Sequence, residues 1–279
     1  MTSGSGLRWV VALPSEAAPL IEHYQLELVC DHPFKLYADR ARDQGLVISG
    51  MGRSAAAAAT VFIAERLPLD ASPIFLNVGI AGAAKLKLGT IWRVHQVRAR
   101  STGKVWYPGA MKFKECGSAG LTTVEQPELE YPGDGLFDME AAGFFEMASK
   151  FTSLELIQSL KIVSDNAEED IQGIDKHRVK QWVRESLSVI DGFRTHVLAL
   201  RETGADERPP REWEEQILDA FRFSVTQGHQ LRSLISRYWA LVGRADPLMD
   251  ILSRAEGSKE FMAMLSDYIL SQPVAWGER

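Results

Sequence analysis

A short apolar run that ends abruptly in polar residues constrains this chain most. Residues 154–163 are mostly apolar and predict a buried strand, which stops at Ser164–Asp165–Asn166. In open α/β sheets, ligands bind at the carboxyl ends of the strands. Asp165 is therefore a candidate site residue, although a Ser-Asp-Asn sequence is also typical of an ordinary turn.

A second carboxylate precedes this strand, at the start of a predicted helix. Asp138 can cap a helix whose first turn carries Glu140. Behind it, an apolar stripe at helical spacing is made of Phe144, Met147, Ala148 and Phe151. Acidic residues in a first turn often serve only the cap and the helix dipole. A helix start and a strand end can still face one cleft, which would bring Glu140 and Asp165 together.

The beginning of the chain twice shows a strand followed by a turn and a helix. Residues 7–13 predict a strand buried on both faces, and Glu16 lies just beyond its carboxyl end. Glu16 could simply favour the dipole of the following helix. Later, Gly52 and Arg53 lie in a glycine-rich turn that opens a helix to about Arg66. Backbone N–H groups of such a turn can bind an anion or phosphate, although glycines also merely permit tight turns.

The middle of the chain is less regular. Residues 73–78 predict another buried strand, ending at Gly79-Ile80-Ala81-Gly82-Ala83, where small residues would let a ligand approach the backbone. Residues 98–135 are short and irregular, with one clear strand candidate at 120–124. Three aromatic side chains there could stack on a ligand or belong to the core, and the sequence leaves this open: Trp106, Tyr107 and Phe113.

The final part of the chain predicts a separate helical module. A long helix from Asp175 ends near Leu200, and residues 202–210 have the Gly and Pro content of a linker. Residues 211–279 are helical by periodicity and contain no chemical motif. We therefore predict an α/β domain over residues 7–200 with a mostly parallel central sheet, and a helical extension over residues 211–279.

Composition argues against several classes of function. The formal net charge of −6 over 279 residues gives no reason to expect nucleic acid or an anionic membrane as partner. No apolar run reaches the ~18 residues of a membrane span, and the first six residues predict no secretory signal. The two cysteines, Cys30 and Cys116, have neither a disulfide framework nor metal-site spacing. We expect a cytoplasmic protein without a metal site.

Two segments together resemble the closing signature of a known superfamily. Asp-Met-Glu-Ala-Ala at residues 138–142 and Val-Ser-Asp-Asn at residues 163–166 are similar to the purine nucleoside phosphorylase and uridine phosphorylase superfamily. Its nucleosidase branch, which cleaves methylthioadenosine and S-adenosylhomocysteine, is most similar. The resemblance covers roughly residues 7–200, with a shortened middle. It implies a three-layer α/β/α fold, hydrolysis of the N-glycosidic bond of a purine nucleoside without a cofactor, and a homo-oligomer, expected to be a dimer.

The resemblance also implies roles for individual residues. Asp165 would act as the acid near N7 of the purine, Glu16 would activate the attacking water, and Glu140 would bind the ribose hydroxyls. The substrate would be a 5′-substituted or 5′-deoxy adenosine, and adenine would be released. Ile80 stands where the family usually has serine or threonine, and Lys161 where nucleosidases usually have arginine. Further substrate contacts are implied at Met139, Gly79, Ile80, Ser164 and Lys161.

Two alternatives stay open at this point. With phosphate as the nucleophile the protein would be a phosphorylase, and Arg53 with Lys161 could form the anion pocket. Hexameric phosphorylases of the superfamily have glycine and arginine after the first strand, where this chain has Pro14-Ser15-Glu16. A carboxylate there repels phosphate and favours water. The other alternative is a protein that binds nucleosides, or presents its helical tail, without turnover.

Overall fold

The computed structural model describes residues 6–67, 72–109, 113–166, 175–205, 209–242 and 244–271. The chain divides into two compact units, one up to Arg201 and one from Glu202 onward. The first unit contains the strands β1 (Leu7–Val11), β2 (Glu27–Cys30), β3 (Lys35–Ala38), β4 (Gln44–Ile48), β5 (Ile74–Ala83), β6 (Ile91–Ala99), β7 (Val105–Trp106), β8 (Gly117–Thr123), β9 (Leu136–Asp138) and β10 (Ile157–Asp165). Its helices are α1 (Pro14–His23), α2 (Arg53–Arg66), α3 (Ala141–Ala148), α4 (Lys176–Glu185) and most of α5 (Leu187–Ala205).

All the strands belong to one sheet, part of which closes on itself. β5 pairs with β10, β10 with β6, β6 with β8, β8 with β9, and β9 returns to β5. From the other edge of β5 the sheet continues through β1, β4, β3 and β2, while β7 pairs with β6. The closed part brings the ends of several strands around one opening.

The α/β class is confirmed, but the sheet is mixed and not mostly parallel. The parallel pairs are β1–β4, β1–β5, β5–β10, β6–β8 and β8–β9. The antiparallel pairs are β2–β3, β3–β4, β5–β9, β6–β7 and β6–β10. β1 and β10 are buried along their whole length, which is the signature of a parallel sheet covered on both faces. β6 alternates between buried and accessible residues, and this pattern carries no information about the direction of its partners.

Helices cover both faces of the sheet. On one face α2 and α3 pack with Phe75, and on the other α1, α4 and α5 pack with Trp9. The starts of α2 and α3 come especially close together. A Cβ at Gly143 would lie only 2.0 Å from the backbone oxygen of Arg53, so the contact requires glycine. This approach brings the glycine turn before α2 next to Glu140.

The strand predicted to end at Val78 is longer than expected. β5 continues through the small residues to Ala83, so Gly79-Ile80-Ala81-Gly82 is a strand segment and not a loop. The glycines leave room for side chains of the protein itself. A Cβ at Gly79 would lie 3.0 Å from Glu16 Oε1, and a Cβ at Gly82 would lie 2.5 Å from Asp165 Oδ2. Small residues in this strand therefore accommodate carboxylates.

The second unit is helical in its described residues. It contains α6 (Arg211–Ala220), α7 (Val225–Leu241), α8 (Ala245–Arg254) and α9 (Ser258–Ser271), which share a core around Tyr238 and Phe261. Helix α5 runs to Ala205, so the residues predicted as a linker begin inside a helix. Pro209 and Pro210 precede α6, and residues 206–208 lie outside the described residues. Within the described residues, no helix is both long and apolar enough to cross a membrane.

Candidate active site

A cavity of about 100 Å³ opens where the carboxyl ends of β1, β8, β9 and β10 meet the later part of β5. Its walls are largely apolar, and they also carry the carboxyl groups of Glu16, Glu128, Asp138, Glu140 and Asp165. The site residues predicted from the sequence divide into two groups. Those lining the cavity are Glu16, Ile80, Met139, Glu140, Ser164 and Asp165, and those outside its lining are Gly52, Arg53, Gly79 and Lys161.

Glu16 is held rigidly at the start of α1. Its Oε2 accepts a hydrogen bond from the backbone N–H of Leu13 at 2.7 Å, and its Oε1 accepts one from the backbone N–H of Ile80 at 2.8 Å. Burial raises the pKa of Glu16 to about 7, although the two N–H groups and the charge of Lys161 lower it. Near neutral pH this carboxyl group can therefore take up or give up a proton, as a general base requires.

Glu140 sits just before α3 and reaches across to the glycine turn of α2. Its Oε1 accepts a hydrogen bond from the backbone N–H of Gly52 at 2.7 Å, and its Oε2 accepts one from Met139 N–H at 3.2 Å. Gly52 has a φ of +100°, a conformation that only glycine adopts readily. Burial and the neighbouring charge of Asp138 raise the pKa of Glu140. The anion held by the glycine turn is thus Glu140 itself.

Arg53, the other candidate for an anion site, is engaged elsewhere. Its Nη2 lies 2.7 Å from Glu146 Oε2, and its Nη1 donates a hydrogen bond to Ser101 Oγ at 3.2 Å. Both partners lie outside the cavity lining. The Arg53 guanidinium is therefore directed at another carboxylate and does not contribute to the cavity wall.

A β-bulge places Ser164 and Asp165 together at the cavity. The pairing of β10 with β5 shifts between Val163 and Asp165, so that Asp165 lies opposite Gly82. Neighbouring residues of a regular strand point to opposite faces, and a bulge changes this. Both side chains line the cavity, and the Ser164 hydroxyl donates a hydrogen bond to Asp165 Oδ1.

Lys161 lies beneath the cavity in a fully buried ion pair. Its Nζ is 2.9 Å from Asp138 Oδ2, and its side chain is 1% exposed. Burial lowers the pKa of Lys161, but the charges of Asp138, Glu140 and Glu16 more than offset this and raise it above its ordinary value. The ammonium group therefore stays charged and supports three surrounding carboxyl groups.

Asp138 binds the start of α3, but the N-cap position predicted for it is occupied by Glu140, which therefore precedes the first turn. Its Oδ2 accepts a hydrogen bond from the backbone N–H of Ala141 at 2.8 Å, and its Oδ1 accepts one from the Thr123 hydroxyl at 2.7 Å. Thr123 Oγ1 also accepts a hydrogen bond from Ala142 N–H at 2.9 Å. These contacts join β8, β9 and α3, and they hold Glu140 at the cavity edge.

Sequence reasoning missed the aromatic residues of the cavity. Tyr131 and Phe137 line it, with ring centroids 6.0 Å apart. The three earlier candidates lie elsewhere. Trp106 is in the core, Phe113 packs on Phe193, and Tyr107 is 61% exposed with its hydroxyl bonded to Gln96. Phe137 could have been found from its place beside the Asp-Met-Glu segment, but the irregular sequence around Tyr131 offered no comparable signal.

No metal centre is evident in the part of the chain that the structure describes, since no group of three or more His, Cys, Asp or Glu residues there could hold an ion. The carboxyl groups of the cavity are instead held by backbone N–H groups, hydroxyls and the Lys161 ammonium. Their chemistry is that of acids, bases and hydrogen-bond acceptors.

The buried ion pair leads to a stability prediction. Lys161→Met should lower the free energy of unfolding by about 3–5 kcal/mol, because it leaves the Asp138 carboxylate buried without its cation. Lys85→Met is a matched control, since Lys85 pairs with Asp134 in a bridge whose side chains are 79% and 82% exposed. The control should change stability by less than about 1 kcal/mol. Urea denaturation of both variants makes the measurement, and equal small effects would contradict the assignment of the ion pair.

Several solved structures share this fold. The 5′-methylthioadenosine nucleosidase of Arabidopsis thaliana aligns over 67% of this chain and 95% of its own, with a TM-score of 0.55 and 18% identity. The 5′-methylthioadenosine/S-adenosylhomocysteine nucleosidase of Neisseria meningitidis aligns over 69% and 97%, with a TM-score of 0.53 and 15% identity. The enzyme of S. pneumoniae aligns over 68% and 99%, with a TM-score of 0.52 and 15% identity.

Comparison of sequences alone finds no relative of this chain. No protein-family model matches the chain, and no curated protein matches its sequence. The nucleosidases nevertheless align over nearly their whole length, and about a third of this chain has no counterpart in them. The structural alignments confirm the fold that the Asp-Met-Glu and Ser-Asp-Asn segments predicted: this chain contains the fold seen in the 5′-methylthioadenosine/S-adenosylhomocysteine nucleosidases.

Proposed function

We propose that this protein hydrolyses the N-glycosidic bond of a purine nucleoside and releases adenine from a 5′-substituted or 5′-deoxy adenosine. The observation that carries the proposal is that Glu16, Glu140 and Asp165 meet at one cavity. The nucleosidases of similar fold, which are named for their action on 5′-methylthioadenosine and S-adenosylhomocysteine, support it. The three carboxyl groups match the three needs of the reaction: a base for water, a partner for the sugar and an acid for the purine.

Glu16 is the proposed general base. In its ionised form it takes one proton from a water molecule, whose oxygen then bonds to the anomeric carbon of the ribose. The bond from that carbon to N9 of the purine breaks, and its electron pair leaves with the base. The backbone N–H groups of Leu13 and Ile80 fix the orientation of Glu16, so little reorganisation is needed when the water reacts.

Asp165 is the proposed acid. It gives a proton to N7 of the purine, so that the base leaves as neutral adenine, and the proton is later restored from solvent. Glu140 accepts hydrogen bonds from the ribose hydroxyls and stabilises the positive charge that develops on the sugar. Met139 and Ile80 supply apolar surface next to the substrate, and Ser164 orients Asp165 through its hydroxyl.

Two residues named from the sequence act indirectly in this proposal. Gly79 leaves the space that Glu16 occupies, and Lys161 supports the site through Asp138. Neither lines the cavity. A homodimer stays a prediction, as does the identity of the 5′ group, since the described cavity wall has no feature that selects one.

Water is favoured over phosphate by the charges around the cavity. Among its described lining residues there is no lysine, arginine or histidine, whereas a phosphate site needs converging cationic or N–H donors. Arg53 is paired with Glu146, and Lys161 with Asp138. The Gly52 N–H group, a further candidate donor, is taken by Glu140. A phosphate ion would therefore meet mainly carboxylates.

The proposed activity predicts release of free adenine from 5′-deoxyadenosine or methylthioadenosine in buffer that contains no phosphate. Chromatography of the reaction mixture makes the measurement. Adenine that appears only with added phosphate, together with a sugar 1-phosphate, would instead identify a phosphorylase. Nucleoside binding without release of any base would identify a binding protein.

The acid and the sugar-binding carboxylate should respond differently to substitution. Asp165→Asn should lower kcat by about 10²–10⁴-fold with a small effect on KM, because proton donation acts mainly as the bond breaks. Glu140→Gln should raise KM as well as lower kcat, because Glu140 contacts ribose before and during the reaction. Asp250→Asn, at an exposed position of the helical unit, is the control for Asp165→Asn. Circular dichroism checks the folding of each variant, and near-normal kcat in folded Asp165→Asn would exclude this mechanism.

Glu16 should make activity and stability change with pH in opposite directions. As a base it must be ionised, so kcat/KM should rise with pH through an apparent pKa near 7. Its folded pKa lies above its ordinary value of 4.5, so its stabilising contribution is complete below pH 4.5 and lost as pH rises through 7, by roughly 3 kcal/mol. Glu16→Gln should remove both dependences. The measurements are a pH–rate profile and urea denaturation between pH 5 and 8, and a flat profile in the wild-type protein would refute the assignment.

A further inference from the structure

Tyr131 occupies an unusual position in the cavity wall. It belongs to residues 124–135, which connect β8 to β9 without regular secondary structure. Its backbone φ is +44°, uncommon for a residue other than glycine, and its side chain is buried against Phe137. An irregular segment thus directs a large aromatic side chain inward. Such backbone conformations persist only where the surrounding contacts hold them.

The Tyr131 hydroxyl contacts the proposed acid. It donates a hydrogen bond to Asp165 Oδ2, while Ser164 donates one to Asp165 Oδ1. Both carboxyl oxygens therefore already have a donor from the protein. A purine that is to interact with Asp165 must compete for one of these oxygens. Ser164 is adjacent in the same strand, so Tyr131 is the partner that can be replaced by movement of its segment.

The ring of Tyr131 also fills space that a ligand needs. A Cβ at Gly82 would lie 2.5 Å from both Tyr131 Cε1 and Asp165 Oδ2, so the ring rests directly on the β5 backbone beside the acid. The cavity left open has a volume of about 100 Å³. Pockets for drug-sized ligands are about 300–1,000 Å³. While the ring remains in place, the open volume is below this range.

Two ion pairs help to hold the segment that carries Tyr131. Lys85 Nζ lies 3.0 Å from Asp134 Oδ1 in a largely exposed pair, and Arg100 bonds Glu128 near the cavity. The exposed Lys85–Asp134 pair contributes only about 0–1 kcal/mol, whereas the Glu128 side chain of the other pair is 12% exposed. Leu129, two residues before Tyr131, is 63% exposed and adds little packing. Displacement of Tyr131 breaks its hydrogen bond to Asp165 and its ring contact with Phe137.

We propose that Tyr131 sets the affinity of the site for its purine, because its hydroxyl and ring occupy the position beside Asp165 that the base takes on binding. The inference rests on the proposed function and goes further by naming the residue that the base displaces. The protein with Tyr131 on Asp165 is the closed state, and only the open state binds the base. The apparent affinity is then the intrinsic affinity reduced by the fraction of open protein.

Tyr131→Phe tests this inference, because it keeps the ring and removes the hydroxyl. Titration calorimetry with free adenine should show binding roughly tenfold tighter than in the wild-type protein, as expected for loss of a hydrogen bond to a carboxylate in the closed state. Tyr107→Phe is the matched control, since Tyr107 is 61% exposed and its hydroxyl bonds Gln96 outside the cavity. The control should bind adenine like the wild-type protein.

The outcomes separate this inference from the proposed function. Adenine binding that is unchanged or weaker in Tyr131→Phe would overturn it, and a lower kcat with weaker binding would identify Tyr131 as a positioning residue for Asp165. If the wild-type protein releases adenine from a nucleoside, but the wild-type protein and Tyr131→Phe bind adenine equally, only the inference fails. If neither protein binds adenine and neither releases it from a nucleoside, the inference and the proposed function both fall.

Discussion

The ion pair of Lys161 and Asp138 is the interaction on which the architecture of the site depends. It joins β10 to β9, and Asp138 also joins β9 to α3 by accepting a hydrogen bond from the Ala141 N–H group. A buried ammonium requires such a partner, because removal from water is costly for an unpaired charge. Its field also reaches Glu16 and Glu140, where it favours the ionised carboxylates against the effect of burial. One cation beneath the cavity therefore supports both the geometry and the charge of the carboxyl groups above it.

The sequence allowed the carboxylates to be predicted because each follows or precedes a strong local pattern. Asp165 ends a buried strand, Glu16 follows another, and Glu140 starts a helix with a clear apolar stripe. The place of Tyr131 could not be predicted, since it depends on packing between segments distant in the chain. The buried ion pair of Lys161, in contrast, could have been predicted from the sequence. A lysine inside a buried strand already indicates a buried partner, and Asp138 was the nearby candidate.

The same limit applies to the sheet: local sequence patterns identify its strands, but tertiary contacts determine their order and direction. Apolar runs identified the central strands, but they could not indicate that β9 returns antiparallel to β5 and closes the ring. Likewise the sequence predicts a loop at the glycines of β5, because small residues weaken a strand pattern. The side chains of Glu16 and Asp165 occupy the space above these glycines, and this explains why small residues lie there.

Glu16 has a further consequence, because it fastens the fold as well as facing the cavity. Its two oxygens tie the start of α1 to β5, just as the oxygens of Glu140 tie the start of α3 to the turn before α2. In evolutionary terms, a change at either glutamate would alter the fold as well as turnover. A new reaction arising on the same scaffold would begin with two oriented carboxyl groups in place.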